Sequence, residues 1–175
     1  MDDRLKLGWQ GFEQAERQLL DEIQKNGDPL VPLANLLQWA YAIDQWHKNR
    51  IADGENELVQ LLGQDVIGET YNGFRVARAS VAHDLSLVAG LVNRVNPRVV
   101  QVSGAGRAQI ITPPVISEWQ WTQTPAIPPN NKGLPSYRRH LAGKPMSSCL
   151  PAVRGFLRFV FPIYWLRSRS RPNGR

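Results

Sequence analysis

Apolar residues recur at helical spacing along the first half of the chain, and the breaks between them mark helix ends. In residues 9–25, Trp9, Phe12, Ala15, Leu19, Leu20 and Ile23 build an apolar face. Glu13 and Glu16 sit early in that segment, where a helix N-terminus favours acids. Asn26-Gly27-Asp28-Pro29 is a strong stop. Residues 30–49 predict a second helix, apolar nearly all round from Leu30 to Trp46, and so a central one. Asp53-Gly54 is a turn, 55–63 a shorter helix, and Gly68 to Gly73 a connection.

The strongest period lies over residues 74–95. Phe74, Ala77, Val81, Leu85, Val88, Val92 and Val95 follow one another at steps of 3, 4, 4, 3, 4 and 3. At about 100° per residue they fall within roughly 40° of one line, which predicts a single long helix ended by Asn96-Pro97. On its other side Ala79, His83, Ser86 and Gly90 form a second line at steps of 4, 3 and 4. Three of these four are small, so a second helix could approach closely there, for instance across a two-fold axis between two copies. The alternative is a solvated helix surface.

After residue 97 the period shortens. Val99 to Ser103 and Ala108 to Ile111 predict two strands around Gly104-Ala105-Gly106, and Val115 to Trp121 a third. Residues 122–136, rich in Pro and Asn, predict a loop; Tyr137 to Gly143 predict a helical turn. Residues 145–161 predict a last helix with Leu150, Val153, Phe156, Leu157 and Val160 inward and Arg154 and Arg158 outward. The expected fold class is mainly α: a helical bundle over 1–96, then an extension over 97–166 with a small β-hairpin, irregular segment and helix. The Arg/Ser-rich 167–175 reads as a basic disordered tail.

Charge changes this picture because it is segregated. Residues 1–118 hold all 15 acids and 11 of the 21 Lys and Arg, a formal −4. Residues 119–175 hold the other 10 bases and no acid, a formal +10. Such a segment suits nucleic acid, anionic lipid or an acidic protein surface. The acidic Met1-Asp2-Asp3-Arg4 start lacks a secretory signal's apolar segment, and no run of eighteen apolar residues predicts a transmembrane helix. A lone cysteine, Cys149, allows no internal disulfide, and a cytoplasmic location is expected.

Candidate chemistry is sparse. Asp44 and His47, three apart on a helix, could share a metal, but no third ligand is evident and no metal is expected. Gly104-Ala105-Gly106 lacks the lysine of a phosphate-binding loop and reads as a turn, so no cofactor is expected. Trp119 and Trp121 alternate on a strand and read as core, with base stacking as the alternative.

Arg78-Ala79-Ser80-Val81-Ala82-His83 is an Arg, four residues, then a His. That spacing, within Gly73 to His83 and after the helix of Leu37 to Asp44, resembles the HEPN superfamily over roughly residues 8–96. Members are small helical bundles, many of them metal-independent endoribonucleases of toxin–antitoxin or phage-defence systems, with a site formed where two such helices meet in a homodimer. The resemblance implies Arg78 and His83 as catalytic residues, Arg75 and Ser86 as substrate contacts, and Ala79, His83, Ser86 and Gly90 at the dimer interface. It also implies RNA as substrate and an antitoxin or other protein as a partner. Ala79 stands where active members often carry a polar residue. A catalytically inactive module binding RNA, nucleotide or protein is therefore a second expectation. A third is a DNA-binding or membrane-surface accessory protein driven by the basic tail.

Overall fold

Helix α1 (Asp3–Lys25) buries Leu5, Gly8, Phe12, Ala15, Glu16 and Leu19, one stripe at the expected spacing. Its end is set by Asn26, which adopts φ 54°. The Gly27 amide donates to the Glu22 carbonyl at 2.8 Å, closing the left-handed helix stop that Asn tolerates. Asp28 then caps α2 (Leu30–Arg50), its side chain accepting from the Leu30 amide at 2.9 Å. These are the elements of a computed structural model, which describes residues 3–50, 54–81, 89–94, 99–102, 108–111, 116–123, 125 and 128–158.

The pair α1 and α2 packs as a hairpin, and Gly11 lies against the Trp39 ring, where a Cβ would collide. As its all-round apolar pattern requires, α2 is the central helix: Leu33, Leu36, Leu37, Ala40 and Ile43 are each at most 3% exposed. α3 (Gly54–Leu62) leads into α4 (Val66–Val81), capped by Asp65, whose side chain accepts from the Gly68 amide at 2.7 Å. Residues 68–73 are thus helical rather than a connection. Gly73 is where α4 meets α5 (Leu134–His140): an added Cβ would lie 3.0 Å from the Tyr137 Cα.

The single helix expected over 74–95 is a correction. α4 is described to Val81, and Ala89–Arg94 is instead strand β1. Val88-Ala89-Gly90-Leu91-Val92 satisfies an alternating period as well as a helical one; its β-branched valines favour the strand once a partner exists, and Gly90 weakens a helix at that point. That partner is β4 (Ile116–Trp121), antiparallel, with Ala89 facing Trp121 and Arg94 facing Ile116. The expected hairpin is present as β2 (Val99–Val102) and β3 (Ala108–Ile111), with Val99 facing Ile111 and Val102 facing Ala108. Partner numbers sum to 210 in both pairs, so the two described sheets share one numerical register. The ribbon is anchored at its base, where Ala89 and Trp121 are buried, while Leu91 and Val92 are exposed.

A 3-10 turn (Met146–Cys149) leads into helix α6, described over 150–158. Leu150, Val153, Phe156 and Leu157 face inward as the sequence predicts. Phe156 stacks on Tyr71 of α4 at 4.5 Å, and Trp121 meets Phe74 edge-on at 5.9 Å. Arg154, expected outward, instead reaches the buried Glu16 of α1, its Nε 2.9 Å from the carboxylate. One hydrophobic cluster therefore joins α1 to α4 with the ribbon base, α5 and α6. Among the described residues, no helix is long and apolar enough to cross a membrane.

Candidate functional site

Where α2 and α4 run side by side, two residues of α2 hold two arginines of α4. Asp44 Oδ2 lies 2.9 Å from Arg75 Nε, and the Arg78 guanidinium sits over the Tyr41 ring, 3.4 Å from its centroid. Tyr41 and Asp44 are three apart on α2, as Arg75 and Arg78 are on α4, so each pair shares a helix face. A third contact comes from Tyr71, one turn before Arg75, whose hydroxyl donates to Asp44 Oδ1 at 2.8 Å.

The electrostatics follow from burial. Asp44 is 3% exposed, and loss of water pushes its carboxyl up, opposed by the Arg75 charge and the Tyr71 hydrogen bond. Burial, reinforced by the Asp44 charge, drives the Tyr71 phenol well above its ordinary value, so it stays a donor. His47, one turn further along α2, is buried, and desolvation lowers it to about 4, which keeps it neutral.

These groups border a cavity of about 600 Å³ between α2, α4 and the segment 131–136. Its floor is apolar and buried, with Leu37, Ala40 and Phe74. Its rim carries Tyr41, Asn72, Arg75, Arg78, Asn131 and Lys132. The volume lies in the range of small-molecule sites, which combine an apolar body with a few fixed polar groups.

Among the described residues, the two carboxylates that line the cavity, Asp44 and Glu69, are already engaged. Asp44 is held by Arg75. Glu69 accepts from Arg139 at 2.8 Å and lies 2.7 Å from His140 Nε2. The His140 hydrogen bond first, and Arg139 second, hold the Glu69 carboxyl below its ordinary value. Arg78 and Lys132 also line the wall, and among the described residues neither has a carboxylate within ion-pair distance. The arrangement is thus cationic and suited to an anion.

Of the expected site residues, Arg75 and Arg78 come together on this wall. Arg75 is partly committed to Asp44, a partner absent from the sequence expectation. Ala79 is half-buried on α4. His83 and Ser86 lie outside the described residues. Gly90 belongs to β1, opposite Gln120, and has no atom within 4 Å of an added Cβ. The line of Ala79, His83, Ser86 and Gly90 therefore does not run along one helix. Trp121 is core and Trp119 packs against it. Burial pushes the Cys149 thiol up to about 12, which makes it inert. Asp44 and His47 do not pair into a metal site: Asp44 turns to Arg75 and Tyr71, and the described residues hold no cluster of metal-ligating side chains.

Tyr41, Tyr71 and Lys132 were not singled out from sequence. Asp44 carried the one usable signal, as the only charge between residues 29 and 47. No family model, no curated protein and no solved structure matches the chain.

Proposed function

We propose that this chain is a HEPN-like protein that acts on or binds RNA, with Arg78 contacting phosphate. The observation that carries the reading is the pair of arginines on α4, fixed by Asp44 and Tyr41 at the edge of a cavity whose carboxylates are otherwise engaged. Arginine keeps its charge at any physiological pH and offers a planar fork to phosphate oxygens. Holding it in place beforehand lowers the ordering cost of binding. The acid-free +10 of residues 119–175 supports the same class of partner.

In the ribonuclease form of this reading, the 2′-hydroxyl oxygen attacks the adjacent phosphorus while a base removes its proton. The bond from phosphorus to the 5′ oxygen breaks, and an acid protonates that leaving oxygen. The products are a 2′,3′-cyclic phosphate and a 5′-hydroxyl. His83 is the acid or base, since histidine alone has an unperturbed pKa near 6.5. In a homodimer, one copy supplies the base and the other the acid. Arg78 stabilises the charge on the phosphorane.

The test measures RNA binding and cleavage for wild type, Arg78→Ala and His83→Ala, with circular dichroism to check folding. Binding should weaken several-fold in Arg78→Ala and fall with salt. RNA that is not retained at low salt, or that Arg78→Ala binds as well as wild type, refutes the reading. Cleavage lost in His83→Ala establishes the ribonuclease form; equal behaviour of folded His83→Ala leaves a binding module.

A further inference from the structure

The geometry points to a more specific ligand: we infer that the cavity receives the terminal phosphate monoester of a nucleotide chain, not an internal diester. This rests on the binding form of the RNA reading above and narrows that form; the ribonuclease form, in which Arg78 faces a scissile diester, is its competitor. The first argument is charge. With Asp44 engaged by Arg75 and Glu69 by Arg139 and His140, the wall keeps Arg78 and Lys132, two positive charges without a carboxylate partner among the described residues. A phosphate monoester carries a charge of roughly −1.5 to −2 at pH 7, because its second ionisation lies near pH 6. An internal diester carries a single charge. Two cations match the first and over-match the second.

The second argument is shape. The floor is lined by Leu37, Ala40 and Phe74, each at most 3% exposed. A cavity of about 600 Å³ with such a floor admits one nucleotide-sized group. An internal linkage must carry chain in both directions, whereas an end enters alone. Asn131 adds a neutral donor at the rim: its Oδ1 already accepts from the Gly133 amide at 2.9 Å, which leaves its NH2 group for a ligand oxygen. Tyr41 holds Arg78 from behind, so the guanidinium is oriented before the ligand arrives.

The experiment titrates the full chain with one labelled ten-nucleotide RNA in three forms: 5′-phosphate, 3′-phosphate, and hydroxyl at both ends. AMP and inorganic phosphate are titrated separately, and each RNA series is repeated at pH 5.5 and pH 7. One phosphorylated form should bind at least tenfold tighter than the hydroxyl form, with the advantage shrinking at pH 5.5 as the monoester gains a proton. The advantage should disappear in Arg78→Ala and in Lys132→Ala; Lys132 is exposed, so that variant should fold normally. Equal affinity of all three RNAs overturns the end-recognition inference and leaves the RNA reading standing. Binding of AMP or inorganic phosphate without any RNA overturns the RNA reading and keeps a phosphate monoester site. No binding of any probe overturns both.

Discussion

Removing Arg75 should destabilise the protein through the charge it leaves behind. Asp44 is 3% exposed, and its Oδ2 lies 2.9 Å from Arg75 Nε. Charge centres about 4 Å apart interact by about 4 kcal/mol at an effective dielectric near 20. The Arg75 side chain is 30% exposed, so solvent screens part of this, and the Tyr71 hydroxyl still serves Asp44. The expected cost of Arg75→Ala at pH 7.5 is therefore about 2–3 kcal/mol, or a melting temperature lower by about 5–10 °C. The loss has a pH signature. Without Arg75, burial raises the folded-state pKa of Asp44 further, so the folded state binds a proton more readily than the unfolded chain. Stability relative to wild type should then recover as pH falls from 7.5 to 5. Neutralising the stranded group should act likewise: Asp44→Asn in the Arg75→Ala background should regain about 1–2 kcal/mol. Urea unfolding followed by tryptophan fluorescence measures all three quantities. A loss under about 0.5 kcal/mol, or a loss unchanged by pH and by Asp44→Asn, would refute the buried-pair account.

Further predictions concern the frame around the site. His47 is held near 4 in the fold against 6.5 unfolded, so its contribution is present above pH 6.5 and is lost as pH falls towards 4, by about 3 kcal/mol in all. His47→Leu should flatten that acid limb in urea titrations between pH 7 and pH 4, and an unchanged slope would assign the limb elsewhere. Gly73→Val places atoms where a Cβ alone already sits 3.0 Å from the Tyr137 Cα; it should cost about 1–3 kcal/mol, read as a lower thermal midpoint. Phe156→Ala removes a ring 4% exposed and stacked on Tyr71 at 4.5 Å; urea unfolding should report a loss of about 3–5 kcal/mol. A loss below 1 kcal/mol there would mean that α6 is not part of the core.

Helices α1 and α2 were legible because their signals are local. Asn26 to Pro29 supplies the stop, and Asp28 the next cap, within four residues. Strands β2, β3 and β4 were legible for the same reason. The segment 89–94 was not, because its fate depends on a partner that begins 22 residues after it ends. Val92 lies on the apolar stripe of an imagined helix and also alternates with Leu91 on a strand. The antiparallel pairing with Ile116–Trp121 decides between them, and it ends at the buried pair Ala89 and Trp121. Gly68 and Gly73 depart from the sequence expectation in the opposite sense, lying inside α4. Glycine usually interrupts a helix, yet Gly73 is retained where a neighbouring backbone leaves no room for a Cβ.

The site divides along the same boundary between local and distant information. Arg75 and Arg78 stand out in sequence because of their spacing from His83. Their chemistry, however, is set by α2, some thirty residues earlier, and there the signal was a conflict, not a motif. The inward face of α2, from Leu33 to Ile43, is apolar and buried, and it ends at one buried charge, Asp44. A carboxylate in such a place requires a cation and hydrogen-bond donors, because leaving it unpaired costs more than most single contacts supply. The nearest following arginines on a comparably apolar helix are Arg75 and Arg78, and Asp44 can reach only one of them. Arg75 is therefore largely spoken for by the fold, whereas Arg78, resting on the neutral Tyr41 face, keeps its full charge for a ligand. The two arginines should separate in experiment: Arg75 variants lose stability first, and Arg78 variants lose phosphate binding with little change in stability. A shared phenotype would show that the α2 contacts do not divide their roles.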